Sequence, residues 1–326
     1  MGWLWGKSSN GFGASTTAEE ATEGIDASGL TAVVTGAFKG IGVHTARTLA
    51  KRGAHVIMAG RNLTDGAAAR QGILNDIPEA KVEVMELDLA SFDSVRAFAK
   101  EYSRKDLPLN ILINNAGVMG NPFTLSKDGI ELQFATNHLG HFLLTNLLLD
   151  NLKKTAQSSG VESRIVNVSS IGHAWTYSGG IRWGKLNEKK GYQALKGYGQ
   201  SKVANICHAK ELARRLKEEG ANVTANSLHP GPINTDIQRH THVIGAAMRL
   251  VGVFMKTVPQ ESYKSFHLPV FYSGAATTCY VALHPNVKGV SGEYFNNCNI
   301  AQPSSNAMNS EIAKRLWDVS VEMTSK

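Results

Sequence analysis

Thr31-Ala32-Val33-Val34-Thr35-Gly36-Ala37-Phe38-Lys39-Gly40-Ile41-Gly42 is the stretch that decides the fold. A short β-branched run stops at a turn carrying Gly36, Gly40 and Gly42, and a helical pattern follows. Glycines in these places give a tight turn and let the backbone come close to a pyrophosphate. The free N–H groups and the dipole at the start of the next helix favour that anion. Alone the spacing is a weak signal, because glycine turns are common.

Outward from this stretch the same alternation repeats. Thr31–Thr35, His55–Ala59, Lys81–Glu86, Ile111–Asn114, Arg164–Val168 and Thr224–Leu228 read as strands, with longer helical stretches between them. The pattern predicts an α/β fold: a single Rossmann-type, doubly wound parallel sheet with helices on both faces and ligand chemistry at the carboxyl ends of the strands. A chain of 326 residues suits one such domain.

Composition narrows the function. Hydrophobic residues at 42% and charged residues at 19% supply a sizeable core. The net charge of +7 is spread over stretches such as Lys210-Glu211-Leu212-Ala213-Arg214-Arg215-Leu216-Lys217, which read as a solvated face. No basic cluster is interleaved with aromatic residues, so nucleic acid is not an expected partner. The charge instead suits an anionic cofactor or membrane surface. Cys207, Cys279 and Cys298 lack disulfide-framework or zinc-site spacing, so a reducing compartment and no metal are expected. No run reaches the roughly 18 apolar residues of a membrane span, and residues 1–30 carry no signal-peptide pattern. Membrane attachment is expected to be peripheral, through Trp3, Trp5 and the Val243–Met255 patch.

Gly197-Tyr198-Gly199-Gln200-Ser201-Lys202 carries the chemistry. Tyr198 and Lys202 are four apart and share a helix face. The ammonium is therefore expected to lower the phenol's pKa from its ordinary value of about 10, making Tyr198 a general acid near neutral pH. Tyr192-Gln193-Ala194-Leu195-Lys196 has the same spacing, but it lacks the serine before lysine and follows a loop-like Lys189-Lys190-Gly191. Tyr198 is favoured because it begins the amphipathic run through Val203, Ile206 and Leu212. Ser169 and Ser170 compete in the same way. His138, His141, His173 and His229 read as packing or loop residues, since no two have ligand spacing with an acidic third partner. The second strand ends in Ala59-Gly60-Arg61-Asn62, with no acid to hold a ribose hydroxyl. Arg61 and Lys39 favour the 2′-phosphate of NADP(H); the alternative is that Arg61 only solvates a loop.

Taken with Asn114-Asn115-Ala116-Gly117, Asn137 and Val168-Ser169-Ser170, these motifs resemble the short-chain dehydrogenase/reductase family from residue 29 to about 300. The resemblance implies an NADP(H)-dependent oxidoreductase that moves hydride between nicotinamide and a carbonyl or alcohol. It implies that Tyr198 exchanges a proton with the substrate oxygen, Ser170 hydrogen-bonds that oxygen, Lys202 grips the nicotinamide ribose and Asn137 holds a relay water. Cofactor contacts are implied for Gly36, Phe38, Lys39, Gly40, Ile41, Gly42, Arg61, Asn62, Asp88, Leu89, Asn115, Ala116, Gly117, Tyr198, Lys202, Pro230, Gly231, Ile233 and Thr235. Residues 1–28 become an amino-terminal extension and 29–326 the catalytic domain. A homo-oligomer is expected, since dimers and tetramers are frequent in the family.

A narrower resemblance rests on Glu131-Leu132-Gln133-Phe134-Ala135-Thr136-Asn137-His138-Leu139-Gly140-His141-Phe142 and Gly274-Ala275-Ala276-Thr277-Thr278-Cys279-Tyr280. These are similar to plant members of the family associated with the protein-import translocon of the chloroplast inner envelope, with retinol dehydrogenases and the WW-domain-containing oxidoreductase as wider relatives. That resemblance implies a peripheral place at the inner envelope with translocon proteins as partners; the alternative location is cytoplasmic. The alternative functions are an NADPH-sensing subunit of the import complex and a ketone reductase of plant secondary metabolism. Phe38 departs from the small polar residue usual in relatives, Ser170-Ile171-Gly172 replaces a more polar continuation, and Glu261–Ser273 looks like an insertion.

Two segments break the strand-helix rhythm, Ile171–Gly197 and Ile237–Ser273, and both read as loops or lids over a substrate. In the second, apolar residues three and four apart predict an amphipathic helix over 243–255 facing the nicotinamide cleft, and hence a bulky apolar substrate. The alternative is a helix that simply packs on the domain.

Overall fold

The computed structural model describes residues 10–231 and 274–325. Trp3, Trp5, Ile233, Thr235 and the expected lid at 237–273 lie outside the described residues. β1 (Thr31–Thr35), β2 (His55–Gly60), β3 (Val82–Glu86), β4 (Ile111–Asn114), β5 (Ser163–Val168) and β6 (Val223–His229) are the six expected strands, each within a residue of its predicted ends. They form one parallel sheet in the order β3-β2-β1-β4-β5-β6. The order reverses between β1 and β4, the switch point at whose carboxyl edge ligands bind in such folds.

Two further strands extend the sheet beyond β6: β7 (Tyr294–Asn296), parallel, and β8 (Asn299–Ala301), antiparallel to β7. Asn297 and Cys298 join them at φ 50° and 61°, the left-handed pair that a two-residue hairpin turn requires.

Strands buried on both faces need helices on both. Ala32 and Val34 of β1 enter one core with Val56, Met58, Ile111, Ile113 and Val166, while Val33 enters the other with Ile57, Leu112 and Ile165. Burying one such side chain is worth about 1.5–3 kcal/mol, more than the ~1 kcal/mol spread of strand propensities. Pattern therefore decides where these strands lie. After the short α1 (Ala18–Ala21), α2 (Gly40–Lys51), α3 (Leu63–Asp76) and, late in the chain, residues 274–283 serve the first face. α4 (Phe92–Arg104) serves the second, as does the long helix that starts as α5 (Leu132–Phe134), passes a π-helical turn at Ala135–Leu139 and continues as α6 (Gly140–Ser159). α7 (Ala194–Glu218) and the carboxyl-terminal helix at Ser310–Thr324 complete that face.

The segment before β1 is packed against the domain from residue 10 onward. Ala18 and Ala21 of α1 are buried, and Arg52 after α2 donates to Thr22 Oγ1 at 3.0 Å and Glu19 O at 2.7 Å. Phe12 meets the Tyr280 ring edge-on at 5.4 Å. Among the described residues no helix is long and apolar enough to cross a membrane.

Candidate active site

β1 delivers Thr35 to the carboxyl edge of the sheet, and Gly36 turns there at φ 64°. A Cβ on Gly36 would stand 2.9 Å from Ala116 Cα, and one on Gly42 would stand 2.2 Å from Gly36 O. The glycines thus keep open a cradle that side chains would fill. It lies at the start of α2, where Lys39 makes no side-chain cap and no acid occupies the first turn. Uncapped N–H groups at the positive end of a helix suit a pyrophosphate, so these residues fit a dinucleotide. Thr35 Oγ1 accepts from Asn115 N at 2.9 Å and Ala116 N at 3.0 Å, and Asn115 Nδ2 donates to Thr35 O at 2.8 Å. β1 and the turn after β4 are one wall.

The other cofactor candidates surround this wall. Phe38 is a wedge: a Cβ on Gly60 or Gly66 would come within 2.6 Å and 2.8 Å of its ring, so the end of β2 and α3 close upon it. Lys39 pairs with Asp65 at 2.7 Å, and Arg61 is exposed at the end of β2. Asn62 Oδ1 caps α3, accepting from Thr64 N at 3.0 Å and Asp65 N at 3.3 Å. Asp88 accepts from Ala90 N at 3.1 Å, Leu89 is buried against Gly140, and Ile41 packs with Ala18, Ala275 and Cys279. Pro230 and Gly231, the latter at φ 96°, follow β6 on the same sheet edge.

Asn137, Ser170, Tyr198 and Lys202 are brought together where β4, β5 and α7 meet. Tyr198 and Lys202 are buried one helical turn apart, with Lys202 Nζ 5.5 Å from the phenol ring centroid and donating to Val168 O at 3.0 Å. Ser170 caps the 3₁₀ turn Ile171–Ala174 and accepts from Gly172 N at 3.1 Å, and its hydroxyl shares the space beside Gly172 with the Tyr198 ring. Ser169 points the other way and donates to Lys202 O at 2.8 Å. Asn137 sits in the π turn, accepts from Val118 N at 2.8 Å and donates to Val118 O and Ser201 Oγ, both at 2.9 Å. Gly117 lies between them: a Cβ there would be 3.2 Å from Asn137 Oδ1 and 3.5 Å from Lys202 Nζ.

The electrostatics correct one expectation. Burial pushes the Tyr198 phenol above its ordinary value, and the neighbouring Ser170 hydroxyl is what opposes the rise. Lys202 does not pull the phenol down, because the ammonium lies over the ring instead of beside the oxygen, and burial lowers its own pKa to about 8. Removing a phenolate from water costs more than a cation so placed returns. The phenol is held neutral, with a proton to give.

Tyr192 lies before α7, which begins at Ala194, four residues ahead of Tyr198. Its phenol accepts from Gln133 Nε2 at 2.6 Å and lies 2.9 Å from Asn121 O and 3.1 Å from the buried Glu131 carboxylate. It clamps loops together and does not join Lys202. The histidines are also more than packing. His173 Nδ1 donates to Ser170 O at 2.6 Å and its Nε2 accepts from Ser304 N at 3.0 Å, while His229 Nδ1 accepts from Ile171 N at 3.2 Å. His141 bridges Thr35 and Asn137. Sequence reasoning missed these contacts because most partners are remote along the chain; the signal for His141 was its place one helical turn after Asn137. Among the described residues no cluster of three or more His, Cys, Asp or Glu is placed to hold a metal.

Comparison with known proteins agrees with this geometry. Residues 30–242 match the short chain dehydrogenase family. The chain is 49% identical over 324 residues to short-chain dehydrogenase TIC 32 B, chloroplastic, of Brassica napus, covering 99% of this chain and 97% of that protein. It is 42% identical to retinol dehydrogenase 11 of Mus musculus, covering 93% and 88%. A crystal structure of an uncharacterized protein from Mycobacterium paratuberculosis superposes with a TM-score of 0.72 at 33% identity, covering 94% and 97%. With the glycine cradle, the Asn-Asn-Ala-Gly wall and the buried tyrosine-lysine pair in one place, the chain belongs to the short-chain dehydrogenases, nicotinamide-dependent oxidoreductases of small carbonyl and alcohol substrates.

Proposed function

We propose that the protein is an NADP(H)-dependent carbonyl reductase and alcohol dehydrogenase in which Tyr198 is the general acid and base. The observation that carries this reading is the buried Tyr198 phenol set beside the Ser170 hydroxyl, both within 3.4 Å of the place a Cβ on Gly172 would take, with Lys202 one helical turn on. A bound nicotinamide supplies hydride for reduction or accepts it in oxidation. As a carbonyl is reduced, negative charge grows on its oxygen, and donors already in position stabilise it without reorganising. Ser170 and Tyr198 are those donors, and Tyr198 passes its proton to the oxygen. The nearest cation to the phenolate left behind is the Lys202 ammonium, 5.5 Å from the ring centroid, whose pKa of about 8 suits proton exchange near neutrality. Asn137 holds Val118 and Ser201, and so keeps the turn after β4 against α7.

Arg61, exposed directly after β2 where the strand itself ends without an acid, supports NADP(H) over NAD(H), and Lys39 in the glycine turn adds a second cation that is held in a pair with Asp65 at 2.7 Å. Ile171 and Trp175, 49% and 63% exposed beside Ser170, support an apolar substrate. Titration with NADPH and NADH, followed by assay against aldehydes and ketones of increasing apolar bulk, tests the reading. Tighter NADPH binding, its reversal or narrowing in Arg61→Asp, and turnover that rises with apolar size are expected. Equal affinity for the two cofactors would remove the NADP(H) assignment.

A second reading takes its support from the 49% identity to a chloroplastic relative over nearly the whole chain. On it, the protein sits peripherally at the chloroplast inner envelope and reports NADPH occupancy to the import translocon. The chloroplastic designation of that relative supports this cellular setting, and a ketone reductase of plant secondary metabolism is the other alternative. The signature of the envelope reading is NADPH-dependent co-purification with envelope proteins, released by carbonate washing. Retention on membranes after carbonate in the absence of partner proteins contradicts peripheral attachment.

A further inference from the structure

We propose that His141 is a positioning residue that couples the cofactor-side turn at Thr35 to Asn137, an inference that rests on reading the site as that of a hydride-transfer enzyme. His141 is 1% exposed in α6, one turn after Asn137. Its Nδ1 lies 3.0 Å from the Asn137 carbonyl oxygen and its Nε2 lies 2.8 Å from Thr35 Oγ1. A carbonyl only accepts, so Nδ1 carries the proton. Burial and the nearby Lys202 charge lower the imidazole's pKa to about 4, so the ring is neutral and Nε2 accepts.

That assignment satisfies every group in the chain of contacts. The Thr35 hydroxyl gives its one proton to Nε2 at 2.8 Å, a closer acceptor than Ile113 O at 3.4 Å, and its lone pairs take the amides of Asn115 and Ala116 at 2.9 Å and 3.0 Å. The Asn137 carbonyl belongs to the π turn, where the ordinary α-helical ladder is interrupted. One imidazole thus joins the end of β1, the turn after β4 and the helix that presents Asn137. A shift at the glycine cradle is transmitted to Asn137 and, through Ser201, to α7.

The test uses the full chain. In the unaltered protein, ¹⁵N NMR of the His141 ring should show a neutral imidazole protonated at Nδ1, the less common tautomer in water. NADPH dissociation constants are then measured for Thr35→Val, His141→Phe and the double variant. His141→Phe should weaken binding about fivefold, the factor carried by one hydrogen bond. Thr35→Val should weaken it by more because it also takes the acceptor from Asn115 N and Ala116 N, and the double variant should be no weaker than Thr35→Val. In turnover, His141→Phe should lower kcat about tenfold with little change in KM. His141→Asn, whose amide nitrogen replaces Nδ1, should recover most of that loss. An Nε2-protonated ring, or a double variant whose loss in NADPH affinity equals the product of the two single losses, would overturn the proposal. If no carbonyl is turned over, the enzyme reading fails by itself, while the tautomer and the binding cycle still decide the role of His141.

Discussion

Lys202 is a charge kept out of water, and it shows what a single residue costs in this site. Its pKa of about 8 in the folded protein lies below the ordinary 10.5, so the folded state binds this proton less tightly than the unfolded chain does. The penalty is in full force below pH 8 and is lifted as pH rises toward 10.5. Lys202→Met is therefore expected to abolish turnover yet raise the melting temperature at pH 7 by at least about 3 °C, a gap that narrows by pH 10. Val168 O keeps a partner in Asn205 Nδ2 at 3.1 Å, so no orphaned carbonyl offsets the gain. Melting curves at both pH values check this, and a lower melting temperature at pH 7 would show that the ammonium contributes net stability. Tyr192 is the converse case. Tyr192→Phe should retain most activity while costing about 1–3 kcal/mol, because Gln133 and Glu131 lose a buried partner. Urea unfolding beside an activity assay separates the two effects. Sequence spacing offered both tyrosines; what separates them is that α7 holds Tyr198 against Lys202, whereas Tyr192 contacts residues some sixty positions upstream.

At the scale of elements, β1, β2 and β4 were legible because two-sided burial writes near-continuous apolar runs between turn residues, and β3, β5 and β6 because they continue the strand-helix alternation. β7 and β8 were not: three residues each, with asparagines at 296 and 299, they carry too little periodicity, and the hairpin becomes visible only with the positive φ at Asn297 and Cys298. The π turn at Ala135–Leu139 was equally hidden, since a helix interrupted for one turn keeps its apolar pattern. The glycine turn and the Tyr-x-x-x-Lys helix were legible as motifs, while the clamp of Glu131, Gln133 and Tyr192 joins elements that no local pattern connects. The 3₁₀ turn after β5 gives a test of how closely the elements are fitted. A Cβ on Gly172 would lie 2.8 Å from Tyr198 Cε1 and 3.4 Å from Ser170 Oγ. Gly172→Ala should therefore displace the phenol and lower kcat roughly tenfold or more, with NADPH affinity unchanged. A parallel loss of cofactor binding would mean that the turn also supports the cradle.

For the whole molecule, the buried imidazoles set the response to acid. Burial lowers His141 and His229 to about 4 and His208 to about 3, against an ordinary 6.5. The unfolded chain takes up these protons first, so the stability they allow is complete above pH 6.5 and is lost as pH falls toward 4 and 3. Each contributes about 1.4 kcal/mol per pH unit in that window. The urea midpoint should decline steadily from pH 6.5 to 4.5, and a flat profile there would contradict neutral, buried imidazoles. The central claim is that this fold assembles a working proton donor against a hydride acceptor. It is tested most directly by following NADPH oxidation at saturating cofactor with apolar aldehydes and ketones, for the unaltered protein and for Tyr198→Phe at matched NADPH occupancy. Turnover by the former and a loss of about a thousandfold or more in kcat by the latter, with equal NADPH dissociation constants, is the predicted result. Equal rates for the two proteins, or tight NADPH binding with no turnover of any carbonyl by the unaltered protein, would contradict it.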